Sequence, residues 1–118
     1  MAIANRAHAG LPHPEEIRQE LGLSREKMGY VMSVSAKTIE HWERQHQLQA
    51  DGEKRARLAA IEELVRLGLL VYGAEGLPIF VQTPLRSLGN HTPLQEMMAG
   101  SVERVIEILA SEYEGLGF

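Results

Sequence analysis

Five histidines, a single aspartate and a set of glutamates are the residues of this 118-residue chain that could do acid–base or metal chemistry, and their spacing argues against both. His8, His13, His41, His46 and His91 are scattered. The two nearest the middle, His41 and His46, are five apart, which turns them to different helix faces rather than toward one metal ion. Glu15-Glu16 and Glu62-Glu63 are adjacent pairs that diverge on a helix and read as solvated surface. Asp51 falls in a polar turn, and no glycine-rich phosphate cradle is present. Cysteine is absent, which removes thiol catalysis, thiolate ligands and disulfides together. No catalytic residue, metal site or cofactor is therefore expected, and the chain is read as a non-enzyme whose chemistry is recognition.

The best recognition signal is the stretch Ser35-Ala36-Lys37-Thr38-Ile39-Glu40-His41-Trp42-Glu43-Arg44. A helix that reads the major groove carries base-contacting side chains on its N-terminal half. Lys37 would donate to a guanine edge, Ala36 would touch a thymine methyl, and Thr38 belongs to the same turn. His41 would donate or accept, or it is an exposed residue with no partner. Ser24, Arg25 and Arg44 are the phosphate candidates. Trp42, at this spacing, is core rather than a stacking platform. Charge complicates this reading: 12 Lys and Arg stand against 16 Asp and Glu, a net charge of −4, whereas phosphate contacts need cations. Arg25, Lys27, Lys37 and Arg44 sort away from Glu15, Glu16 and Glu20, but Glu26, Glu40 and Glu43 sit among the bases. Modest affinity per subunit and reliance on dimerisation follow.

The elements that must position these residues are helical. Pro14 suits a first helical position, with Glu15 and Glu16 at the positive end of the dipole and Gly22 as the stop. Ser24 caps a second helix, to about Met32, with Met28, Val31 and Met32 inward; Ser35 caps a third, to about Gln45, with Ile39 and Trp42 inward. Two short helices joined by a tight turn make the helix-turn-helix pattern. A long helix is predicted over 53–72, where Leu58, Ile61, Val65, Leu69 and Tyr72 recur at three and four. Its apolar arc is wide enough for two neighbours, one of them a second subunit, and Leu58, Ile61, Val65 and Leu69 are the expected dimer seam. Gly73 and Gly76 break the pattern. Thr92-Pro93-Leu94-Gln95 is a capping box, and Ser101 opens a last helix with Val102, Val105, Ile106, Leu109 and Tyr113 on its apolar face. Period-two alternation is missing, so little or no sheet is expected. The longest apolar stretch, over 67–72, is far short of the ~20 residues of a membrane span, and the first ten residues lack the apolar core of a signal peptide. The expectation is a cytoplasmic protein.

Leu21-Gly22-Leu23-Ser24 through Val34-Ser35, Thr38-Ile39 and Trp42-Glu43-Arg44 resembles the Xre (phage-repressor-like) helix-turn-helix. Thr83-Pro84, Leu88-Gly89, Thr92-Pro93-Leu94, Gly100 and the run from 105 to 109 resemble the toxin-binding domain shared by the antitoxins called Xre, ParS and MbcA, and the ending at 114–118 looks closest to the MbcA-like members. The resemblance implies a RES-domain toxin, which consumes or transfers NAD, as partner, and a C-terminal end that reaches the toxin's active-site cleft. Carried onto this chain, Glu114, Gly115, Leu116, Gly117 and Phe118 would be the plug; a frayed terminus is the other reading of those residues. Thr92, Pro93 and Gly100 are assigned to capping and turn geometry instead. Two departures stand out. Gly29 replaces the usual small residue such as Ala, loosening the second helix by up to ~1 kcal/mol. The segment after Arg44 carries Gln45-His46-Gln47 where a glycine often follows.

The expected architecture is all-α: an arm over 1–12, an Xre-like helix-turn-helix domain over 13–52, and a dimerisation and toxin-binding domain over 53–118. The function it implies is that of an antitoxin that occludes the NAD site of a RES-domain toxin and represses its own operon by binding operator DNA, as a homodimer or within the toxin complex. A stand-alone dimeric Xre-type regulator, and a degenerate helix-turn-helix serving only as a protein-interaction module, are the alternatives.

Overall fold

The computed structural model describes residues 13–45 and 50–117. The arm expected over 1–12, the middle of the polar turn at 46–49 and Phe118 lie outside them. Each helix begins and ends where local chemistry provides for its orphan backbone groups. In α1 (Pro14–Leu21) proline opens the first turn, and Gly22, at φ 72°, closes the last. There the Gly22 N–H donates to the Gln19 carbonyl and the Leu23 N–H to the Arg18 carbonyl. In α2 (Arg25–Met32) the Ser24 hydroxyl accepts from the Lys27 N–H, and in α3 (Ala36–Arg44) the Ser35 hydroxyl accepts from the Thr38 N–H. The turn between α2 and α3 passes through Ser33 in the left-handed region, at φ 60°.

That turn explains Gly29. A Cβ added there would stand 2.6 Å from the Val34 carbonyl oxygen and 3.4 Å from the Ala36 nitrogen. Glycine is therefore not a looser version of alanine at this position. It is what allows the chain leaving the turn to cross α2 at backbone contact.

The long helix α4 (Gly52–Val81) is capped by Asp51, whose carboxylate accepts from the Lys54 N–H, and is broken at Gly73, at φ 78° and ψ 177°. The expectation of a break at Gly73 holds, but Gly76 is helical and the chain continues in α conformation to Val81. In a straight helix, residues nine apart are separated by about 13.5 Å along the axis. Here Leu77 packs so close to Gly68 that a Cβ on Gly68 would stand 2.4 Å from a Leu77 methyl. The segment after Gly73 therefore folds back on the segment before it. Gly68 admits a side chain rather than the neighbouring backbone foreseen from sequence.

Beyond α4 an isolated antiparallel bridge between Leu85 and His91 encloses a 3-10 turn at Arg86–Leu88. No strand occurs among the described residues. In α5 (Pro93–Met98) both halves of the Thr92–Gln95 capping box form, at 2.8 and 3.0 Å. Gly100 then turns the chain at φ 92°. In α6 (Val102–Gly115) Ser101 stands before the first turn without a side-chain capping bond, and Val102, Val105 and Leu109 are buried.

One core unites all of this. Ile17, Met28, Ile39 and Trp42 from the first three helices belong to the same cluster as Leu58, Leu77, Met97 and Leu109 from the last three. The seam expected on Leu58, Ile61 and Val65 is corrected by that core: these side chains are wholly buried within the chain, and Leu69 is half-buried against the same cluster. The wide apolar arc of α4 is covered by α1 and the C-terminal helices, so a charge at Val65 would unfold the chain rather than part a dimer. By length and composition α4 could cross a membrane. Its break at Gly73 and the burial of Leu64, Val65, Leu77 and Val81 make it a core helix here.

Gly29→Ala should lower stability by about 1–3 kcal/mol, as overpacking does, even though alanine is the better helix former. Urea denaturation of the two proteins measures the difference.

Candidate functional site

The exposed face of α3 gathers most of the expected reader residues. Lys37, Glu40, His41 and Arg44 recur at three and four and line one side of the helix, while Ala36 is exposed in its first turn. Lys37 points to solvent with no partner among the described residues. Thr38 is half-buried, and its hydroxyl lies 3.0 Å from that of Ser35, so it stiffens the cap. His41 accepts at Nε2 from the Gln45 amide at 2.9 Å, and Arg44 pairs with Glu40 at 2.8 Å, one turn back. Ser24 spends its hydroxyl on capping α2.

Arg25 has a different place from the one expected. Its Nε donates to Glu43 Oε1 at 2.9 Å, while Arg18 grips the same carboxylate through Nε at 2.6 Å and a second nitrogen at 3.2 Å. A third Arg18 nitrogen reaches the Leu23 carbonyl. The Glu43 side chain is only 2% exposed. Burial pushes its carboxyl pKa up, but the hydrogen bonds and charges of Arg18 and Arg25 more than offset this, and the net effect is to lower it below the usual 4.5. The Arg25 guanidinium is raised in turn, chiefly by its hydrogen bond to Glu43. This clamp joins α1, α2 and α3. It was invisible in the sequence, where Glu43 read as one more acid among the bases.

Of the cations described over 13–45, Arg18, Arg25 and Arg44 are paired with carboxylates, which leaves Lys27 and Lys37 without one. The face is therefore polar and finely mixed rather than strongly basic.

The C-terminal candidates form a second locus. Glu114 and Gly115 complete the last turn of α6, so Gly115 is helical rather than part of a loose tail. Leu116 follows at 51% exposure, and Gly117 turns at φ 84° with its N–H on the Glu114 carbonyl. Just upstream, α6 is tied to the bend of α4. The Tyr72 hydroxyl donates to Glu112, and its ring stacks on Phe80 with centroids 4.7 Å apart. Burial, then the Glu112 hydrogen bond and charge, push the Tyr72 phenol up to about 12. Thr92, Pro93 and Gly100 serve as cap, first-turn residue and turn, as expected. No group of three or more metal-ligating side chains occurs among the described residues.

The class these features define is an all-helical protein in which a capped helix pair and a bent helix with two further helices share one core. No family model matches the sequence, and no curated protein is similar to it. Its fold does match that of a chain in the crystal structure of the M. tuberculosis MbcT–MbcA toxin–antitoxin complex. The TM-score is 0.72 at 19% identity, over 87% of this chain and 92% of that one. The match thus spans both chains nearly whole, and at this identity it is a likeness of fold.

The clamp makes stability depend on acid. Because the Glu43 pKa is lowered on folding, its contribution is fully present above the ordinary carboxylate range and is lost as pH falls below about 4.5 through the folded value. Glu43→Gln should cost about 1–3 kcal/mol at pH 7 and flatten the acid limb of a stability–pH curve from chemical denaturation.

Proposed function

We propose that the chain is the antitoxin of a toxin–antitoxin pair, a non-enzymatic regulator that neutralises a RES-domain toxin by placing its C-terminal end over the toxin's NAD site. The observation that carries this reading is the fold shared, over nearly the full length of both chains, with a member of a toxin–antitoxin complex. The C-terminal geometry agrees with it. A helix fastened to the core through Tyr72 and Glu112 ends in an exposed Leu116 between two glycines, so an apolar side chain is presented from a rigid base. A pre-ordered base lowers the entropy lost on docking, and a buried apolar anchor supplies the contact energy.

We propose further that the helix pair reads operator DNA and represses the operon. Ala36, Lys37 and His41 face the bases, and Arg44 and the free nitrogens of Arg25 face phosphates. With so many cations already paired, most of the affinity must come from two subunits binding together.

The toxin reading is tested by capturing the tagged chain from its native cells and assaying what comes with it. An NAD-consuming protein that is silent in the complex, and active when residues 114–118 are deleted, is expected. A deletion without effect on that activity sinks the plug. For DNA, Lys37→Ala should cost about 1–3 kcal/mol against the preferred operator and much less against random duplex. Equal loss on both would leave Lys37 as a phosphate contact.

A further inference from the structure

The outward line of α4 before its bend is not a typical solvated helix face. Ala56, Ala59, Glu63, Arg66 and Leu70 are all exposed, recur at spacings of three and four, and lie opposite the buried Leu58, Ile61 and Val65. Leu70 is 58% exposed. A solvated face ordinarily carries charges of both signs throughout. This one carries a single acid and a single base at its middle, flanked by alanines on one side and a leucine on the other. Neither Glu63 nor Arg66 has an ion-pair or hydrogen-bond partner among the described residues, and the one-turn pairing open to Glu62 and Arg66 is not made.

We infer that this line is a two-fold interface with a second copy of the chain, the two α4 helices running antiparallel about an axis between residues 64 and 65. Such an axis sets position 63 opposite 66, 59 opposite 70 and 56 opposite 73. Each Glu63 then meets Arg66 of the partner subunit, twice per dimer. Each Leu70 enters the hollow left by Ala59 of the partner subunit, and Ala56 lies against Gly73 of the partner subunit, where a close helix approach is tolerated. A two-fold interface must be self-complementary in this way, because the same patch serves both sides. A parallel arrangement would set Glu63 against Glu63 and Arg66 against Arg66, and like charges there oppose association. The matched segment, 56–70, is about 21 Å long, comparable with a small domain's width. The interface goes beyond the antitoxin reading and needs neither toxin nor DNA. It also places the dimer on the opposite side of α4 from the buried stripe.

The test is a charge exchange followed by sedimentation equilibrium of the full chain alone. Glu63→Arg and Arg66→Glu should each raise the dimer dissociation constant about tenfold or more, because each sets like charges face to face. The double exchange should return it to within about threefold of the original, because the pairing is then restored in mirror order. Leu70→Gln should weaken the dimer without reference to charge. Melting curves of all four variants should match the parent's, since these side chains hold nothing within the subunit. A monomeric parent chain overturns the proposal. So does a dimer indifferent to the single exchanges, or a double exchange as weak as either single one.

Discussion

The reversal of α4 at Gly73 is the constraint on which the other contacts depend. Its φ of 78° lies where side chains other than glycine are strained, so the chain can turn there without a loop. Turning lets Leu77 fill the notch at Gly68 and brings Phe80 onto Tyr72. It also sets Pro78 against Gly22, where a Cβ would approach to 2.9 Å. Pro78 has no N–H to give, which suits a helix restarting just after a break. One backbone torsion thus decides how the C-terminal helices meet the first helix.

That arrangement makes the two expected domains dependent on each other. Arg57, on α4, donates 3.0 Å to the Val31 carbonyl near the end of α2, with the Ser33 hydroxyl 3.5 Å away. A second nitrogen of the same guanidinium lies against Gly100, between α5 and α6, at 3.3 Å from where a Cβ would be. A cation near a helix C-terminus satisfies orphan carbonyls and favours the dipole. Here it also touches the turn of the reader pair and the turn between the last two helices. With the common core, this leaves the helix pair held from behind on all but its outer face.

Much of this was legible in the sequence because it rests on local rules. Ser24, Ser35 and Thr92 announce helix starts by capping chemistry, and Gly22 announces a stop, within four residues of chain in each case. The inward positions Ile17, Met28, Ile39, Trp42 and Leu109 follow from periodicity alone. What was not legible involves groups far apart in sequence. Glu43 is a surface acid by composition and a buried clamp only because Arg18, 25 residues earlier, folds onto it. Gly29 reads as a weak helix former until the chain beyond the turn crosses it. The stripe of α4 shows how much apolar surface must be covered, but not whether the cover comes from this chain or from another.

The same distinction bears on the electrostatics of recognition. Counted by type, the first three helices offer arginines and lysines enough for a DNA-binding face. Counted by contact, Arg18 and Arg25 belong to Glu43 and Arg44 to Glu40. These pairs are not equivalent. The Arg44–Glu40 pair is exposed, so a phosphate would compete with it at little cost. Arg18 is different: it is 14% exposed and bound to a carboxylate that is 2% exposed, and drawing it away would leave a buried charge uncompensated. The fold has therefore committed Arg18 to holding the helices together. It leaves Lys27, Lys37, Arg44 and the outer nitrogens of Arg25 as the cations a polyanion could meet. A face so thinly charged gains from being doubled, because two weak faces at fixed separation bind cooperatively where one does not. In this protein, the geometry of self-association and the strength of recognition are consequently one question.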